Sequence, residues 1–381
     1  MSDSPKRVLT GTHFMLGNHA VVEGALAAGC NFFAGYPITP ANEISQHMGL
    51  RMPSVGGTFL QGEDELCSIF ALSGAALAGA KAMTATASAG FNYMQEGLGY
   101  AVAAEIPIVV VDVMRCRGEN YATQSDVMQL RWGASGDHEM IVLAPASVQE
   151  LFDFTIRAFN LAEKYRTPVI VMSETTIALM REKLVIPEPD EIVIINRKKP
   201  DVPPDQFVPF RAEMNEVPPL PDFGEGYGIL HSLNPHDERG WIAWDPDVFD
   251  RLYQRITGKI TANYDDIVQI DEYFLDDAKI ALVAYGSESR PAREAVKIAR
   301  QEGIKAGLLK LNTIWPVPEK QLAEVARQVD SVLAVEMNIG KYAGEIERVC
   351  CGCCPVSRIT KNSGQIHTSN EIYQAIRGSL N

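Results

Sequence analysis

The sequence predicts an α/β protein with two modules, each built on a mostly parallel sheet. Three observations support this fold class. Short β-branched apolar runs alternate with alanine-rich amphipathic stretches over residues 24–173, and the same rhythm returns after Lys279. These runs lack polar alternation, which is typical of strands buried on both faces of a parallel sheet. Between the two halves, residues 186–235 hold ten of the chain's 22 prolines.

The first module is predicted to consist of βαβ units. A helix is predicted over 65–80, where apolar residues recur near a 3.6-residue spacing, and another over 147–164. The second helix begins with a predicted capping box, Ser147 followed three residues later by Glu150. The main predicted strands are IPIVVVDV at 106–113 and PVIVM at 168–172. Strands that alternate with helices predict a parallel sheet.

The proline-rich part of the chain is predicted to cross the surface between the modules. Proline fixes φ and lacks the backbone N–H, so this stretch cannot sustain a helix or a central strand. The second module is predicted to have strands at 279–287, 305–311 and 332–336, a helix at 289–302 stopped by Gly303, and a closing helix at 370–377 stopped by Gly378. The predicted boundaries are 1–185 for the first domain, 186–270 for the crossover and 271–381 for the second, smaller domain.

Composition excludes several classes of protein. The chain has 381 residues, 46% of them hydrophobic and 22% charged, which is typical of a folded globular protein. Its formal net charge is -14 and it has no basic tract, so we expect no nucleic acid partner. No apolar run reaches the roughly 18 residues that span a bilayer, and no secretion signal precedes Gly17. Seven cysteines without such a signal predict reduced thiols and a cytoplasmic protein.

The first candidate site is the turn Tyr36-Pro37-Ile38-Thr39-Pro40. Two prolines make it rigid, and it joins an apolar segment to a predicted helix, the place where open α/β sheets bind ligands. Thr39 would offer a hydroxyl, and the following helix its N-terminal N–H groups, to a carboxylate. A rigid loop without a ligand is the alternative.

The second candidate is Glu65, which opens the predicted helix at 65–80 after Glu63 and Asp64. Acidic residues are favourable at a helix N-terminus, so all three can be solvated charges. The helix after Glu65 is nearly all apolar or small, however, and a carboxyl group beside a dry cavity suits proton exchange.

Four cysteines crowd at Cys350, Cys351, Cys353 and Cys354. Thiolates bind zinc and iron–sulfur clusters, which would make the chain a redox or metal protein. Closed metal sites usually take ligands from separated pairs, so structural cysteines, with surplus thiols at a subunit interface, are the favoured interpretation, and no metal ligand is predicted.

Twelve segments together resemble, in order and over nearly the whole chain, the α subunit of 2-oxoacid:ferredoxin oxidoreductases, which are thiamine diphosphate enzymes. They are GNHA at 17–20, GALAAG at 24–29, YPITP at 36–40, GEDE at 62–65, GAKAMTAT at 79–86, AEIP at 104–107, QSD at 124–126, LAP at 143–145, AFNLAEKY at 158–165, HDERG at 236–240, AYGS at 284–287 and EMNIG at 336–340.

This resemblance implies a pyrimidine-binding thiamine diphosphate domain with a parallel sheet, followed by a transketolase-C-terminal-like domain. It implies coenzyme A-dependent oxidative decarboxylation of a 2-oxo acid, or the reverse reaction, with electrons passed to ferredoxin. A separate β subunit would hold the diphosphate, Mg²⁺ and a [4Fe-4S] cluster, and γ and δ subunits can be present. The chain lacks a Gly-Asp-Gly motif with a downstream Asn, so it should hold half of a thiamine site.

The resemblance also assigns residues. Glu65 corresponds to the glutamate that binds the thiamine pyrimidine ring, and Thr39 to the threonine that contacts the substrate carboxylate. The residues expected to line the cofactor are Tyr36, Pro37, Ile38, Glu65 and Phe91, and those that could complete the carboxylate clamp are Arg115, Arg117 and Arg131, without a ranking.

The loops at 87–90 and 116–123 depart from the family pattern, which leaves the substrate open. The preferred prediction is 2-oxoglutarate, converted to succinyl-CoA and CO₂. Pyruvate and branched-chain or aromatic 2-oxo acids are the alternatives, as is a non-catalytic structural subunit.

Overall fold

Two mostly parallel sheets, one of seven and one of five strands, and a separate antiparallel pair of strands, the first and the eighth, organise the chain in the computed structural model, which describes residues 8–116, 121–232 and 234–379. They confirm the predicted α/β class. The strands are β1 (Gly11–Leu16), β2 (Phe32–Gly35), β3 (Thr58–Gln61), β4 (Ala82–Thr86), β5 (Val109–Met114), β6 (Ile141–Leu143), β7 (Val169–Glu174), β8 (Arg181–Ile186), β9 (Ile270–Tyr273), β10 (Ile280–Tyr285), β11 (Ala306–Leu311), β12 (Thr313–Trp315), β13 (Ser331–Glu336) and β14 (Val356–Thr360).

Helices cover both sheets. The helices are α1 (Gly17–Ala27), α2 (Asn42–Val55), α3 (Glu65–Leu77), α4 (Ser88–Tyr93), α5 (Gln95–Ala103), α6 (Gln129–Trp132), α7 (Val148–Tyr165), α8 (Thr175–Leu179), α9 (Pro246–Thr261), α10 (Tyr264–Ile267), α11 (Ser289–Gln301), α12 (Glu319–Gln328), α13 (Ala343–Cys350) and α14 (Ser369–Gly378). Helices α3, α7, α11 and α14 lie where the sequence predicts helices. The last helix includes Gly378 and is capped by Ser379, one residue later than predicted.

The larger sheet has the strand order β12-β6-β7-β5-β4-β2-β3 and is parallel except at β12. Strand β5 shows how it is buried. Val109, Val111 and Val113 face the core beneath α1 and α7, while Val110 and Met114 face the opposite core. Both faces of the strand are therefore covered, which explains why its sequence lacks polar alternation.

The smaller sheet has the order β14-β13-β10-β11-β9, with only β9 antiparallel. Strand β12, however, leaves this half of the chain and pairs with β6 of the larger sheet, Thr313 opposite Leu143. The two domains therefore share a sheet edge, which the sequence did not indicate.

Helix α7 begins at the predicted cap, but the cap differs in one detail. The Ser147 side chain accepts a hydrogen bond from the Glu150 backbone N–H at 3.1 Å, as predicted. The Glu150 carboxylate accepts from the N–H of Ala146 at 2.8 Å, so the return bond reaches one residue further than in a standard capping box.

The crossover confirms the prediction from proline content. Between Pro187 and Pro235, a single 3₁₀ helix, Pro189–Glu191, is the only helix or strand among the described residues; the rest are turns and irregular backbone. The segment predicted as linker also contains α9, which the proline argument did not anticipate. Buried ion pairs hold α9 against the first domain: Arg255 and Lys259 both contact the Glu105 carboxylate.

In the part of the chain that the structure describes, no helix combines the length and apolarity needed to cross a membrane.

Candidate active site

The YPITP turn lies at the carboxyl end of β2, where the sequence placed it. The Asn18 amide donates to the Pro40 carbonyl at 2.7 Å and to the Glu43 carboxylate at 3.0 Å, which ties the turn to α1 and α2. The Asn42 amide donates to the Thr39 hydroxyl oxygen at 3.3 Å. The Thr39 hydroxyl proton is therefore available to an acceptor such as a carboxylate.

Glu65 is the first residue of α3, and Asp64 caps this helix by accepting the Cys67 backbone N–H at 2.6 Å. The Glu65 side chain turns inward, and the residue is only 7% exposed. Its carboxylate lies directly over Gly90, where any Cβ would clash with it and with the Thr86 hydroxyl. This close approach requires glycine at position 90.

Glu65 is mostly buried as a residue, and its carboxylate makes no hydrogen bond to the residues that the structure describes. The Thr86 hydroxyl, which approaches the same point above Gly90, and the Thr84 hydroxyl on the same face of β4 are buried without partners in the described chain. Buried polar groups are nearly always satisfied in native proteins. The arrangement therefore fits a ligand with polar ring atoms against Glu65.

A buried carboxyl group, Asp112, extends this polar face onto β5, where it pairs in register with Thr86. Burial raises the pKa of Asp112 well above its usual range, and the neighbouring Asp126 raises it further. Burial also raises the pKa of Asp126. Sequence reasoning missed Asp112, although an acid within the valine run VVVDV is itself a signal.

Arg115 is the candidate arginine that the structure brings to this edge of the sheet. It follows the carboxyl end of β5, and its backbone N–H donates to the Ser88 hydroxyl at 3.2 Å. Ser88 is the first residue of α4, the helix that carries Gly90, and its hydroxyl donates to the Asp126 carboxylate at 2.5 Å. Ser88 and Asp126 were not predicted as site residues.

Arg131 has partners of its own in the structure. It pairs with Glu139 at 2.9 Å, and its guanidinium carbon lies 4.0 Å from the centroid of the Trp132 ring. It also lines a cavity with Trp315, the last residue of β12. Its contact with a substrate carboxylate stays a prediction. Arg117 lies outside the described residues.

The remaining predicted cofactor contacts differ in their surroundings. Phe91 is fully buried and packs in the core with Ile69, next to Gly90. Tyr36 and Pro37 are exposed and Ile38 is half-buried. Their contact with a cofactor stays a prediction.

The cysteine cluster begins at the last residue of α13. Cys350 is buried, Cys351 and Cys353 are exposed, and Cys354 is half-buried, all as free thiols. Burial raises the pKa of Cys350 to about 12. Within residues 8–116, 121–232 and 234–379, no three His, Cys, Asp or Glu side chains are arranged to hold a metal ion. The structural role of the four cysteines stays a prediction.

Two family models match the chain. Residues 23–253 match the thiamine diphosphate-binding domain of pyruvate flavodoxin/ferredoxin oxidoreductases, and residues 278–372 match core domain II of pyruvate:ferredoxin oxidoreductase. The first match includes most of the crossover. The exact boundaries proposed at 185 and 270 stay predictions.

Curated relatives match over nearly the full length. The chain is 46% identical over 375 residues to 2-oxoglutarate synthase subunit KorA of Methanothermobacter marburgensis, covering 97% of this chain and 100% of the relative. The corresponding subunit of Methanocaldococcus jannaschii is 45% identical over 370 residues, covering 96% and 99%. Ketoisovalerate oxidoreductase subunit VorB of M. marburgensis is 36% identical over 371 residues, covering 96% and 97%.

Solved structures agree. The 2-oxoglutarate:ferredoxin oxidoreductase from Magnetococcus marinus, solved with 2-oxoglutarate, coenzyme A and succinyl-CoA bound, superposes with a TM-score of 0.91 at 29% identity, over 98% of this chain and 66% of that one. A split-gene transketolase, an inactive β4 tetramer, shares the fold, with a TM-score of 0.55 at 15% identity over 96% of each chain. The chain therefore belongs to the pyruvate flavodoxin/ferredoxin oxidoreductase family, thiamine diphosphate-dependent oxidoreductases of 2-oxo acids, and is an α-type subunit similar to those of 2-oxoglutarate synthases.

Proposed function

We propose that this chain is the α subunit of a 2-oxoglutarate:ferredoxin oxidoreductase. The enzyme interconverts 2-oxoglutarate plus coenzyme A with succinyl-CoA plus CO₂ and exchanges electrons with ferredoxin. The observation that carries the proposal is the side chain of Glu65, a mostly buried residue whose carboxylate has no hydrogen bond within the described chain and lies over Gly90 next to the unpartnered Thr86 hydroxyl. The identity to 2-oxoglutarate synthase subunits supports the choice of substrate.

The residues present fit the pyrimidine half of thiamine diphosphate. A glutamate without a partner can bind a ring nitrogen, and the missing Cβ of Gly90 leaves room for this carboxylate. Phe91 supplies an apolar wall beside it. When bound, thiamine diphosphate supplies the electron sink that allows a 2-oxo acid to lose CO₂.

We expect a partner chain to supply the half of the site that binds the diphosphate. This chain has no diphosphate motif, and no metal-ligating cluster exists among its described residues. Helix α3, which is nearly all apolar or small, exposes Cys67 and Phe70 on its outer face, and Tyr93 on α4 is 53% exposed. We assign this face, which adjoins Glu65, to the β subunit, which would also hold Mg²⁺ and the [4Fe-4S] cluster.

The chain's own residues have three tasks in this scheme. Glu65 holds and exchanges a proton with the pyrimidine ring nitrogen. The Thr39 hydroxyl donates to the carboxylate of the 2-oxo acid, and the Arg115 guanidinium adds a charge-assisted contact to it. Phe91 and the surrounding core exclude water from the base of the site.

The remaining parts of the proposal concern partners and location. Ferredoxin exchanges electrons with the iron–sulfur cluster of the partner, and γ and δ subunits can complete the complex. All seven cysteines are free, which supports a reducing, cytoplasmic setting.

The second candidate substrate is a branched-chain 2-oxo acid, because VorB, a subunit of ketoisovalerate oxidoreductase, is 36% identical over 96% of this chain. The choice between the two substrates is an outcome of the experiment below.

The test is co-expression with the β subunit and an assay of coenzyme A-dependent viologen reduction. The panel contains 2-oxoglutarate, 2-oxoisovalerate and pyruvate, ranked by kcat/KM. We expect Glu65→Gln to lower kcat by at least about 100-fold, the usual contribution of a positioned acid–base group. Glu63→Gln, an exposed neighbour two residues away, is the matched control and should leave kcat within about twofold. Full activity of Glu65→Gln would contradict the assigned role.

A further inference from the structure

Three sequence segments that the proposed function does not use meet at one place between the domains: QSD at 124–126, AYGS at 284–287 and EMNIG at 336–340. We propose that Gln124 is a positioning residue, through which the second domain holds the loop that orients Ser88 and Arg115 at the active site. The activity part of its test rests on the proposed function.

Gln124 is fully buried, and its backbone and side chain are both engaged by the second domain. Its backbone N–H donates to the Met337 carbonyl at 2.9 Å, and its side-chain oxygen accepts the Met337 N–H at 2.9 Å. Its side-chain nitrogen donates to the Tyr285 carbonyl at 2.9 Å, and its backbone carbonyl accepts from Asn338 at 3.1 Å. One residue thus joins two loops of the second domain.

The first domain contributes a matching acid, Glu174, at the end of β7. Its carboxylate accepts from the Gln124 amide at 2.9 Å and from the Ser287 N–H at 3.0 Å, and also from the Ser287 hydroxyl. Gly286 has a φ of 56°, and a Cβ there would clash with Glu174. The close approach of the two domains therefore depends on glycine at this position.

The residues on either side of Gln124 are held in the same way. The Thr123 hydroxyl donates to the Met337 carbonyl at 3.4 Å, and the Lys341 ammonium donates to the Ser125 carbonyl at 2.6 Å. Each residue from 123 to 125 is therefore anchored to the second domain. A loop anchored at consecutive residues has little freedom left at the next one, Asp126.

Asp126 connects this anchored loop to the active site. Its carboxylate accepts from Ser88 at the start of α4, and the Ser88 hydroxyl accepts the Arg115 backbone N–H. Gly90, two residues after Ser88, lies under the Glu65 carboxylate. Loss of the Gln124 contacts should therefore displace the arginine and the floor of the site together.

The alternative is that Gln124 only holds the two domains together, since the same contacts also join the domains. Lys310 provides a matched control because it makes another buried contact between the domains, to Glu150 at 2.6 Å, and also binds Asp271 at 3.0 Å. It has no hydrogen bond to the loop at 123–126. Gln124→Ala and Lys310→Met should both lower the melting temperature.

The experiment uses the complex of this chain with its β subunit. We expect Gln124→Ala to raise KM for the 2-oxo acid by at least about tenfold, the loss expected when one charge-assisted carboxylate contact is misplaced. Lys310→Met should leave KM within about twofold. Equal KM values for the wild type and Gln124→Ala, or a similar rise in Lys310→Met, would overturn the proposal.

Variants of Glu174 give a second measure. In Glu174→Gln, the amide oxygen can accept from Gln124 and the Ser287 N–H, and the amide nitrogen can donate to the Ser287 hydroxyl. Glu174→Ala removes all three contacts. We expect the rise in KM to be clearly larger for Glu174→Ala than for Glu174→Gln, and the reverse order would contradict positioning by hydrogen bonds.

Hydrogen exchange separates this proposal from the proposed function. Amides of residues 86–94, around α4, should exchange at least about tenfold faster in Gln124→Ala than in the wild type, and at an unchanged rate in Lys310→Met. A wild-type complex that is inactive on every 2-oxo acid would refute the proposed function, and the exchange rates would still decide whether Gln124 positions α4. Unchanged exchange in Gln124→Ala would refute the positioning.

Discussion

Glu105 is the anion of a buried cluster that holds α9 against the first domain, and Glu105→Gln tests its contribution to stability. The carboxylate is fully buried and accepts from Arg255 at 3.0 and 2.5 Å and from Lys259 at 2.7 Å. The Arg166 guanidinium, also buried, donates to the Glu105 carbonyl at 3.2 Å. Glutamine keeps the length and shape of the side chain, so the substitution removes the negative charge and replaces one acceptor oxygen by an NH₂ donor.

The expected magnitude follows from what Glu105→Gln leaves behind. Arg166, Arg255 and Lys259 would be three buried cations with no anion among them. Removing one partner of a buried ion pair costs about 3–5 kcal/mol of the free energy of unfolding. Because folded proteins have only about 5–15 kcal/mol in total, this is a large share. Lys259→Met should cost less, since Glu105 keeps two hydrogen bonds from Arg255.

The assay is urea denaturation of the purified chain, with circular dichroism and tryptophan fluorescence as probes. Asp330→Asn is the control, because Asp330 and Lys279 form an exposed pair at 3.6 Å that should contribute at most about 1 kcal/mol. If Glu105→Gln unfolds within about 1 kcal/mol of the wild type, or Lys259→Met costs as much as Glu105→Gln, the cluster does not act as we describe.

Three further predictions concern the site, the domain interface and the cysteines. Gly90→Ala should displace the Glu65 carboxylate and lower kcat by at least about 100-fold while the far-ultraviolet circular dichroism spectrum is unchanged; wild-type kcat would contradict the close approach. Burial raises the pKa of Glu174 from 4.5 to about 7, so the stability that its bound proton contributes is complete below about pH 4.5 and is lost by about pH 7. As pH rises from about 4.5 to about 7, the unfolding free energy of Glu174→Gln should therefore increase relative to that of the wild type by about 3 kcal/mol, and a constant difference would refute the shift. Cys351→Ser with Cys353→Ser should leave activity within about twofold, and the purified wild-type chain should contain no stoichiometric zinc or iron by elemental analysis; a bound metal lost in the double variant would restore the metal-site interpretation.

Local pattern was sufficient for most of the fold. Strand β5 could be predicted because a β-branched run without polar residues requires cover on both faces. Helix α7 could be predicted because Ser147 and its neighbours satisfy the helix N-terminus themselves. In both cases the interactions that decide the structure lie within a few residues along the chain.

The site could be predicted in part. Glu65 and Thr39 stand next to recognisable local signals, a helix start and a rigid turn, and the structure places both at the expected ends of their elements. The choice among Arg115, Arg117 and Arg131 had no such signal. The structure pairs Arg131 with Glu139, eight residues along the chain, and links the Arg115 backbone to α4 through Ser88, contacts that depend on the packing of the folded chain.

By itself, the sequence determined the α/β class, the proline-rich crossover and the acid at the start of α3, because these follow from composition, proline and spacing along the chain. Only the tertiary structure decided that β12 joins the first sheet and that Gln124 meets Glu174, Tyr285 and Met337. Those contacts connect residues up to 213 positions apart. Local sequence periodicity cannot predict these contacts, since they depend on how the two folded domains dock.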